Sequence, residues 1–237
     1  ELARPTMTYG FSSEADVRAT DLSAAGSQTR FTVVSADHAD LPVTLNLPGR
    51  HNVLNALAAI GVARSLGVSD TPIQQALEAF SGIGRRFQPI GALPVRGGYA
   101  ALLDDYAHHP REIAAVIEAV RSGWPGQRLV VAFQPHRYTR TRDLFDDFVR
   151  VLSDTDLLLV TDVYPAGETP IPGADTPALC RAIRQRGQVD PVLVRGIDEL
   201  RSVMPGLLRA DDIVLSLGAG SIGQALPALL ADSEGLS

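Results

Sequence analysis

The sequence predicts an α/β protein in two parts: a smaller α+β region, then a doubly wound, mainly parallel sheet of the Rossmann-like type. In the second part, short and wholly apolar runs alternate with amphipathic runs of helical spacing, which is typical of strands buried on both faces. In residues 1–50, Pro, Gly and Asp interrupt short β-forming runs instead. The glycine-rich, basic segment SGIGRRFQP separates the two regions, so we place the domains at residues 1–88 and 89–237.

The individual elements follow from the local pattern. In the first region, strands are predicted over residues 31–35 and 43–47, and a helical pattern that starts near Val53 ends at Gly67. A second helix is predicted with Thr71 as N-cap and Pro72 at its first position. In the second region the predicted strands are 100–103, 129–133, 157–160, 192–194 and 213–217, and the predicted helices are 110–121, 143–152, 177–186, 197–203 and 222–230.

The composition argues against several classes of protein. The net charge of -6 favours neither a nucleic-acid-binding nor a membrane-surface protein. The N-terminus has no signal-peptide pattern, and no run reaches the roughly 18 apolar residues of a membrane span, so a cytoplasmic protein is expected. The single cysteine, Cys180, excludes an internal disulfide and is expected to be a core residue. The oligomeric state is not predicted.

The chain contains no lysine, because all 21 of its basic residues are arginine. A phosphate-binding loop needs a lysine that reaches the β- and γ-phosphates of the nucleotide. We therefore expect the chain to be inactive by itself in any reaction that depends on such a loop. It also begins without an initiator methionine, as expected of a fragment.

The segment LDDYAHHPREI places two carboxylates, a phenol and two imidazoles directly after a predicted strand. In doubly wound sheets, ligands bind beyond the carboxyl ends of the strands. Asp105 can accept hydrogen bonds from ribose hydroxyls, or it can cap the next helix. His108 and His109 can bind a carboxylate or phosphate, or titrate near neutrality. A metal site is weakly supported, because no matching carboxylate pair accompanies the histidines.

The segment VVAFQPHRYTRTR runs from a buried strand straight into a cluster of arginines. Arginine pairs bidentately with carboxylate or phosphate. The alternative is a charged helix start, but positive charge is unfavourable at the N-terminus of a helix. Arg137 and Arg140 are therefore expected to bind an anionic ligand.

Two further segments carry candidate contacts. In GIGRRF, one of Arg85 and Arg86 is expected to face a phosphate, and the other to belong to a basic linker. In GRHNVLNALAA, Asn55 is polar on an otherwise apolar helix, and its amide can pair with an adenine edge. Asn52 can do the same, or it can be the N-cap of that helix.

The segment GAGSIG fits the dinucleotide-binding pattern G-x-G-x-x-G. It lies near the chain end, without a following strand or an acidic ribose partner, so a tight strand-to-helix turn lining the same cleft is expected. A dinucleotide-binding oxidoreductase remains an alternative. Glu168, in the long loop after the strand at 157–160, is a further candidate polar contact.

These segments, in this order, resemble the Mur ligase family over nearly the whole chain. GRHNVLNALAA is similar to the family's adenine-contacting helix start, which implies nucleotide contacts from His51, Asn52 and Asn55. GIGRRF resembles the arginine loop that touches the transferred phosphate, with Arg86 at the matching position. DDYAHHP resembles the motif that opens the C-terminal domain, where Asp105 matches a ribose contact.

FQPHRYTRT and YPAGE resemble more specifically the branch of the family that adds L-alanine to UDP-N-acetylmuramate. In that branch, the positions matching Tyr106, His108, Arg137 and Arg140 surround the amino-acid part of the substrate. Relatives that re-attach recycled murein tripeptide usually have Phe where Tyr106 stands, and they lack FQPHRYTR.

The resemblance implies ATP-dependent ligation through an acyl phosphate, with Arg86 and His108 as the catalytic residues. UDP-N-acetylmuramate, L-alanine and ATP are the implied small-molecule partners. ATP and Mg²⁺ are the implied cofactors, but the family's GKT loop and its magnesium-binding Glu and His have no counterpart here, so no metal ligand is assigned. A non-catalytic nucleotide- or UDP-sugar-binding module and a murein peptide recycling ligase remain alternatives.

Overall fold

A computed structural model describes residues 6–235. They form two compact units, one of residues up to Gly82 with Glu118–Pro125, the other of Ile83–Ile117 with the residues from Gly126 onward. No helix in this described part is long and apolar enough to cross a membrane.

The first unit has one sheet and two helices, in chain order β1 (Tyr9–Gly10), β2 (Val17–Ala25), β3 (Gln28–Ser35), β4 (His38–Leu45), α1 (Arg50–Ser65) and α2 (Asp70–Ala79). The strands lie in sequence order across the sheet, with β1 parallel to β2 and the other pairs antiparallel. Alternate strand residues such as Val33 pack with Leu57 and Ile60 of α1 in an apolar core. The sequence predicted neither β1 nor β2.

In this unit the predicted N-cap Thr71 is wrong, and so is the alternative in which Asn52 caps its helix. Helix α1 has Gly49 as its N-cap, with φ 95°, a conformation that glycine adopts without strain. Asn52 therefore lies inside α1, and its side-chain amide donates to the Pro48 carbonyl at 2.8 Å. Helix α2 is capped by Ser69 rather than by Thr71, which places Asp70 in the first turn, where the helix dipole favours negative charge.

The second unit holds a six-stranded sheet with helices between its strands. Its elements are β5 (Gln88–Val95), β6 (Gly98–Asp105), α3 (Pro110–Gly123), β7 (Leu129–Phe133), α4 (Tyr138–Asp143), α5 (Phe145–Leu152), β8 (Leu157–Val160), α6 (Thr176–Arg186), β9 (Val192–Leu193), α7 (Gly196–Val203), β10 (Ile213–Leu217) and α8 (Ala225–Gly235), with 3₁₀ turns at Met204–Leu207 and Ser221–Gln224. The residues of α3 from Glu118 onward belong to the first unit. The order across the sheet is β5-β6-β10-β7-β8-β9. Only β5 is antiparallel to its neighbour, so the predicted mainly parallel α/β fold is confirmed.

The last strand, β10, lies in the middle of this sheet, between β6 and β7. Leu217 of β10 is in register with Asp105 on one side and with Phe133 on the other, and Phe133 is in register with Val160 of β8. Four parallel strands therefore end level. The polar segments that follow them meet at one edge of the sheet.

Candidate active site

The aspartate pair at the end of β6 is buried and holds the backbone around it. Asp105 is only 3% exposed, and its carboxylate oxygens accept from the backbone N–H groups of Phe87 (2.8 Å) and Ala107 (2.7 Å). Burial raises the pKa of Asp105, although these two donors and the charge of Arg86 act in the opposite direction. A ribose hydroxyl would have to use the remaining lone pairs of this carboxylate.

Asp105 does not cap the following helix; Glu112 does so instead. Its Oε2 accepts from the backbone N–H groups of His108 (3.0 Å) and His109 (3.2 Å). Burial alone would raise the pKa of Glu112, but these bonds and the nearby charges of His108 and Arg86 lower it overall. The two histidines are thus fixed at the start of α3.

The two arginines of the GIGRRF loop have different environments. Arg85, with φ 60°, pairs through Nε with Asp104 at 3.0 Å and donates through Nη2 to the Gly218 carbonyl at 2.5 Å. The Ser216 hydroxyl also donates to Asp104. Arg86 is exposed, and its guanidinium lies 5.5 Å from the centre of the Tyr106 ring. Of the two arginines, Arg85 is the one bound to the sheet, so Arg86 is left for a ligand.

An imidazole that the sequence analysis did not select, His136, connects the loops after β6 and β7. Its ring centre lies 5.7 Å from that of His108, and its Nδ1 lies 3.2 Å from Nη1 of Arg140. His108 in turn contacts the Tyr106 carbonyl through Nδ1 at 3.0 Å. His108 and Arg140, predicted to share a site, therefore both contact one ring, although β10 separates their strands.

Arg137 occupies a strained position at the start of α4. It is the N-cap residue with φ 72°, and its N–H donates to the Tyr164 carbonyl at 2.9 Å. The side chain is exposed and makes no hydrogen bond or ion pair with any residue from 6 to 235. Such strain persists where the surrounding structure enforces it, and it is frequent at ligand sites.

The dipole argument that singled out Arg140 is wrong. The predicted helix 143–152 is α5, and a separate helix of only six residues, α4, precedes it. Arg140 lies in the last turn of α4, where positive charge is favourable. The contacts of Arg140 are what favour anion binding. His136 accepts from Nη1, and Nε and Nη2 have no partner in the described part of the chain, so these two donors are available to an anion.

Glu168, the candidate contact in the loop after β8, holds α4 in place. Its carboxylate accepts from the Thr139 hydroxyl at 2.6 Å and from the Thr139 N–H at 3.0 Å. These bonds lower the pKa of Glu168, so the group is a carboxylate at neutral pH. The loop after β8 therefore fixes the helix that presents Arg140.

The glycine turn after β10 is filled by neighbouring loops rather than open to a dinucleotide. A Cβ at Gly220 would lie 2.4 Å from Oε1 of Gln134 and 2.7 Å from the Tyr164 ring. Gln134 also accepts from the Ile222 N–H and donates to the Ser221 hydroxyl. The structure contains the predicted tight turn. Because neighbouring side chains fill the space at Gly220, the turn does not favour the oxidoreductase alternative.

Gln134, His136 and Tyr164 are contacts that sequence reasoning missed. Each follows the end of a buried strand closely, which is the same signal that selected Arg137 and Arg140. Arginine and aspartate drew attention through charge, whereas these uncharged side chains gave no such signal.

The nucleotide candidates of the first unit lie in the first two turns of α1. Asn55 is exposed there, and Asn52 is half-buried with one amide hydrogen already donated to Pro48. His51 is half-buried next to them. In residues 6–235, no three His, Cys, Asp or Glu side chains are grouped in a way that could hold a metal ion.

Comparison with known proteins assigns a family to both parts of the chain. Residues 85–220 match the family described as Mur ligase, glutamate ligase domain, and residues 1–63 match the Mur ligase middle domain. The UDP-N-acetylmuramate–L-alanine ligase of Halorhodospira halophila is 58% identical over 230 residues, which are 97% of this chain and 47% of that protein.

Solved structures of Mur ligases have the same fold as this chain. The UDP-N-acetylmuramate–alanine ligase of Thermotoga maritima matches with a TM-score of 0.81 and 27% identity, over 98% of this chain and 48% of that one. The MurF ligase of the same organism, solved in complex with ADP, matches with a TM-score of 0.68 and 19% identity, over 98% of this chain and 49% of that one. The chain thus spans about half the length of the relatives it matches.

Proposed function

Because the chain belongs to the Mur ligase family, we propose that the protein it comes from joins L-alanine to UDP-N-acetylmuramate in an ATP-dependent step of peptidoglycan synthesis. The relative that is 58% identical carries that name. The nucleotide substrates put the reaction in the cytoplasm. In this proposal, residues 1–88 are the end of the central ATP-binding domain and residues 89–237 are the C-terminal domain.

One observation supports the proposed L-alanine site most directly. Two guanidinium groups at the same sheet edge, those of Arg137 and Arg140, have donors without an anionic partner among residues 6–235. The carboxylate of L-alanine is small, planar and anionic, which matches the fork geometry of arginine. Tyr106 and His108 then border the same amino acid.

The proposed reaction has two chemical steps. The muramoyl carboxylate attacks the γ-phosphate of ATP, which gives an acyl phosphate and ADP. The ammonium group of L-alanine loses a proton, and the resulting amine attacks the acyl carbon. The C–N bond forms, the acyl C–O bond breaks, inorganic phosphate leaves and the nitrogen loses a second proton. Arg86 is proposed to stabilise the charge on the transferred phosphoryl group.

His108 is proposed to hold the amine end of L-alanine. A carbonyl only accepts hydrogen bonds, so Nδ1 of His108, 3.0 Å from the Tyr106 carbonyl, carries a proton. In the neutral ring, Nε2 then has a lone pair that can accept from the ammonium group. Holding both ends of the amino acid near the acyl phosphate is a positioning effect.

ATP is proposed to contact His51, Asn52 and Asn55 through its base, and Asp105 through its ribose. Mg²⁺ would neutralise phosphate charge when bound. Among residues 6–235 no metal cluster is present. The family carries its magnesium-binding Glu and His in the same domain as the GKT loop, and the ligands of Mg²⁺ are proposed to lie there.

The test is substrate choice by the whole protein. With ATP and UDP-N-acetylmuramate present, we expect phosphate release to require L-alanine and to yield the muramoyl-alanine amide. Faster release with murein tripeptide than with L-alanine would favour the recycling ligase instead. Binding of ATP without any turnover in the whole protein would favour a binding module.

A further inference from the structure

We propose that His136 is a positioning residue: its neutral imidazole accepts a hydrogen bond from Arg140 and directs that guanidinium toward the carboxylate of the incoming amino acid. The inference rests on the proposed function, because it assigns a supporting partner to the arginine that would bind L-alanine.

The donor and acceptor roles in this contact follow from chemistry. A guanidinium group only donates hydrogen bonds. Because Nη1 of Arg140 lies 3.2 Å from Nδ1 of His136, Nδ1 is the acceptor, and the proton of the neutral ring is on Nε2. The same Nη1 also lies 3.2 Å from the His136 carbonyl. One residue therefore holds Arg140 through both its ring and its backbone.

This contact leaves the Nε and Nη2 edge of the Arg140 guanidinium available to a carboxylate. Nε and Nη2 form the side-on pair of donors, and neither has a hydrogen bond within the part of the chain that the structure describes. The same pair of atoms on Arg64 binds Asp70 bidentately in the first unit, at 2.9 and 3.0 Å. A carboxylate of L-alanine would bind Arg140 in the same manner.

The His136 ring is itself held from the neighbouring loops. The Tyr164 ring is stacked on it, with centres 5.5 Å apart and planes at 9°. A parallel β-bridge joins the two residues, and the Tyr164 N–H donates to the Pro135 carbonyl at 2.8 Å. The orientation of Nδ1 toward Arg140 is therefore fixed before any ligand arrives.

Burial and the surrounding positive charges favour the neutral ring of His136. Burial lowers its pKa, and so do Arg140 and Arg137 from α4 and His108 from the loop after β6, while Glu168 from the loop after β8 opposes them. The ring is thus uncharged above a pKa that lies below the ordinary value of about 6.5. As the pH falls through that pKa, Nδ1 gains a proton, and Arg140 loses its acceptor and faces a second cation.

The test uses the whole enzyme and two replacements of the same ring. His136→Phe keeps an aromatic ring for Tyr164 but has no acceptor, whereas His136→Asn places an amide oxygen near the position of Nδ1. We expect His136→Phe to raise the KM for L-alanine about tenfold at pH 8, with kcat and the KM for ATP little changed. We expect His136→Asn to restore most of that loss. Exposed His38, replaced by Asn, is the matched control.

The pH profile and the variant Arg140→Ala distinguish a failure of the His136 inference from a failure of the proposed amino-acid site. In the wild type, the KM for L-alanine should rise as the pH falls through the lowered pKa of His136, and in His136→Asn this rise should be smaller. If His136→Phe leaves the KM unchanged, or His136→Asn recovers nothing and keeps the full acid rise, the His136 inference is overturned. If Arg140→Ala itself leaves the KM for L-alanine unchanged, the proposed amino-acid site fails instead. Melting temperatures of all variants show whether a loss of folding contributes.

Discussion

The partners of each arginine decide which of them can bind a ligand. Arg85 forms an ion pair with Asp104, which is 1% exposed, and donates to the Gly218 carbonyl. Arg86 and Arg137 have exposed side chains without ion pairs among residues 6–235. Bound anions are stabilised most by donors that no other group already uses, so anion binding at this edge depends on Arg86, on Arg137 and on the Nε and Nη2 donors of Arg140.

Replacement of Asn55 tests the proposed adenine contact. Asn55→Ala in the whole enzyme should raise the KM for ATP roughly tenfold, since a bidentate contact to a base contributes about 1–3 kcal/mol. The KM for L-alanine should barely change. Gln75, an exposed amide on α2 of the same unit, is the matched control when replaced by Ala. An unchanged KM for ATP would leave Asn55 as an ordinary surface residue of α1.

Charged residues were easier to select from the sequence than the groups that orient them. His108, Arg137 and Arg140 follow strand ends and have charged or ionisable side chains, so the pattern pointed to them, whereas Arg86 precedes β5 and was chosen over Arg85 through the resemblance to the family. His136 acts through Arg140 and through a ring from another loop, Tyr164. His136 and Tyr164 are 28 positions apart in the sequence, so the local spacing of residues does not predict their contact.

Among the elements, the buried strands of the six-stranded sheet were predicted well, whereas its edge strand β5 was not predicted. The predicted strands 129–133, 157–160 and 213–217 coincide with β7, β8 and β10, whose residues are almost all buried and apolar. β5 escaped prediction because it is an exposed edge strand that contains two prolines and a glycine. The central place of β10 is a long-range pairing that periodicity does not encode.

Arg85 holds the arginine loop against the ends of β6 and β10. Arg85→Met would leave Asp104 buried with only Ser216 as a side-chain donor. We expect the free energy of unfolding to fall by about 1–3 kcal/mol, which allows for the partial exposure of Arg85.

Its matched control is the adjacent position. Arg86→Met removes the same charge without breaking an ion pair, so the unfolding free energy should change by less than about 0.5 kcal/mol. Urea denaturation of the two variants measures the difference. Equal losses from both would show that the Arg85–Asp104 pair does not hold the loop.

Because it contains no lysine, this chain alone is not expected to transfer the γ-phosphate of ATP. With none among its 237 residues, it has no phosphate-loop lysine for the γ-phosphate of ATP. The purified chain should release no phosphate from ATP with both substrates present, while the whole protein should. Measurable substrate-dependent release by the chain alone would contradict this expectation.

The central claim is that arginines at the sheet edge bind the carboxylate of L-alanine. Losing one partner of a desolvated charge pair costs about 2–5 kcal/mol, so Arg137→Ala or Arg140→Ala in the whole enzyme should lower kcat/KM for L-alanine at least about tenfold. ATP binding should be largely kept. Replacement by Lys should not restore the full rate, because an ammonium lacks the fork of donors.

The most direct measurement compares L-alanine with L-alaninamide, which keeps the amine but lacks the carboxylate. The wild-type enzyme should prefer L-alanine in kcat/KM by about tenfold or more. In Arg140→Ala that preference should collapse, because the variant loses rate with L-alanine and changes little with the amide. If Arg140→Ala slows both substrates by the same factor, the arginine does not recognise the carboxylate, and the proposed amino-acid site is wrong.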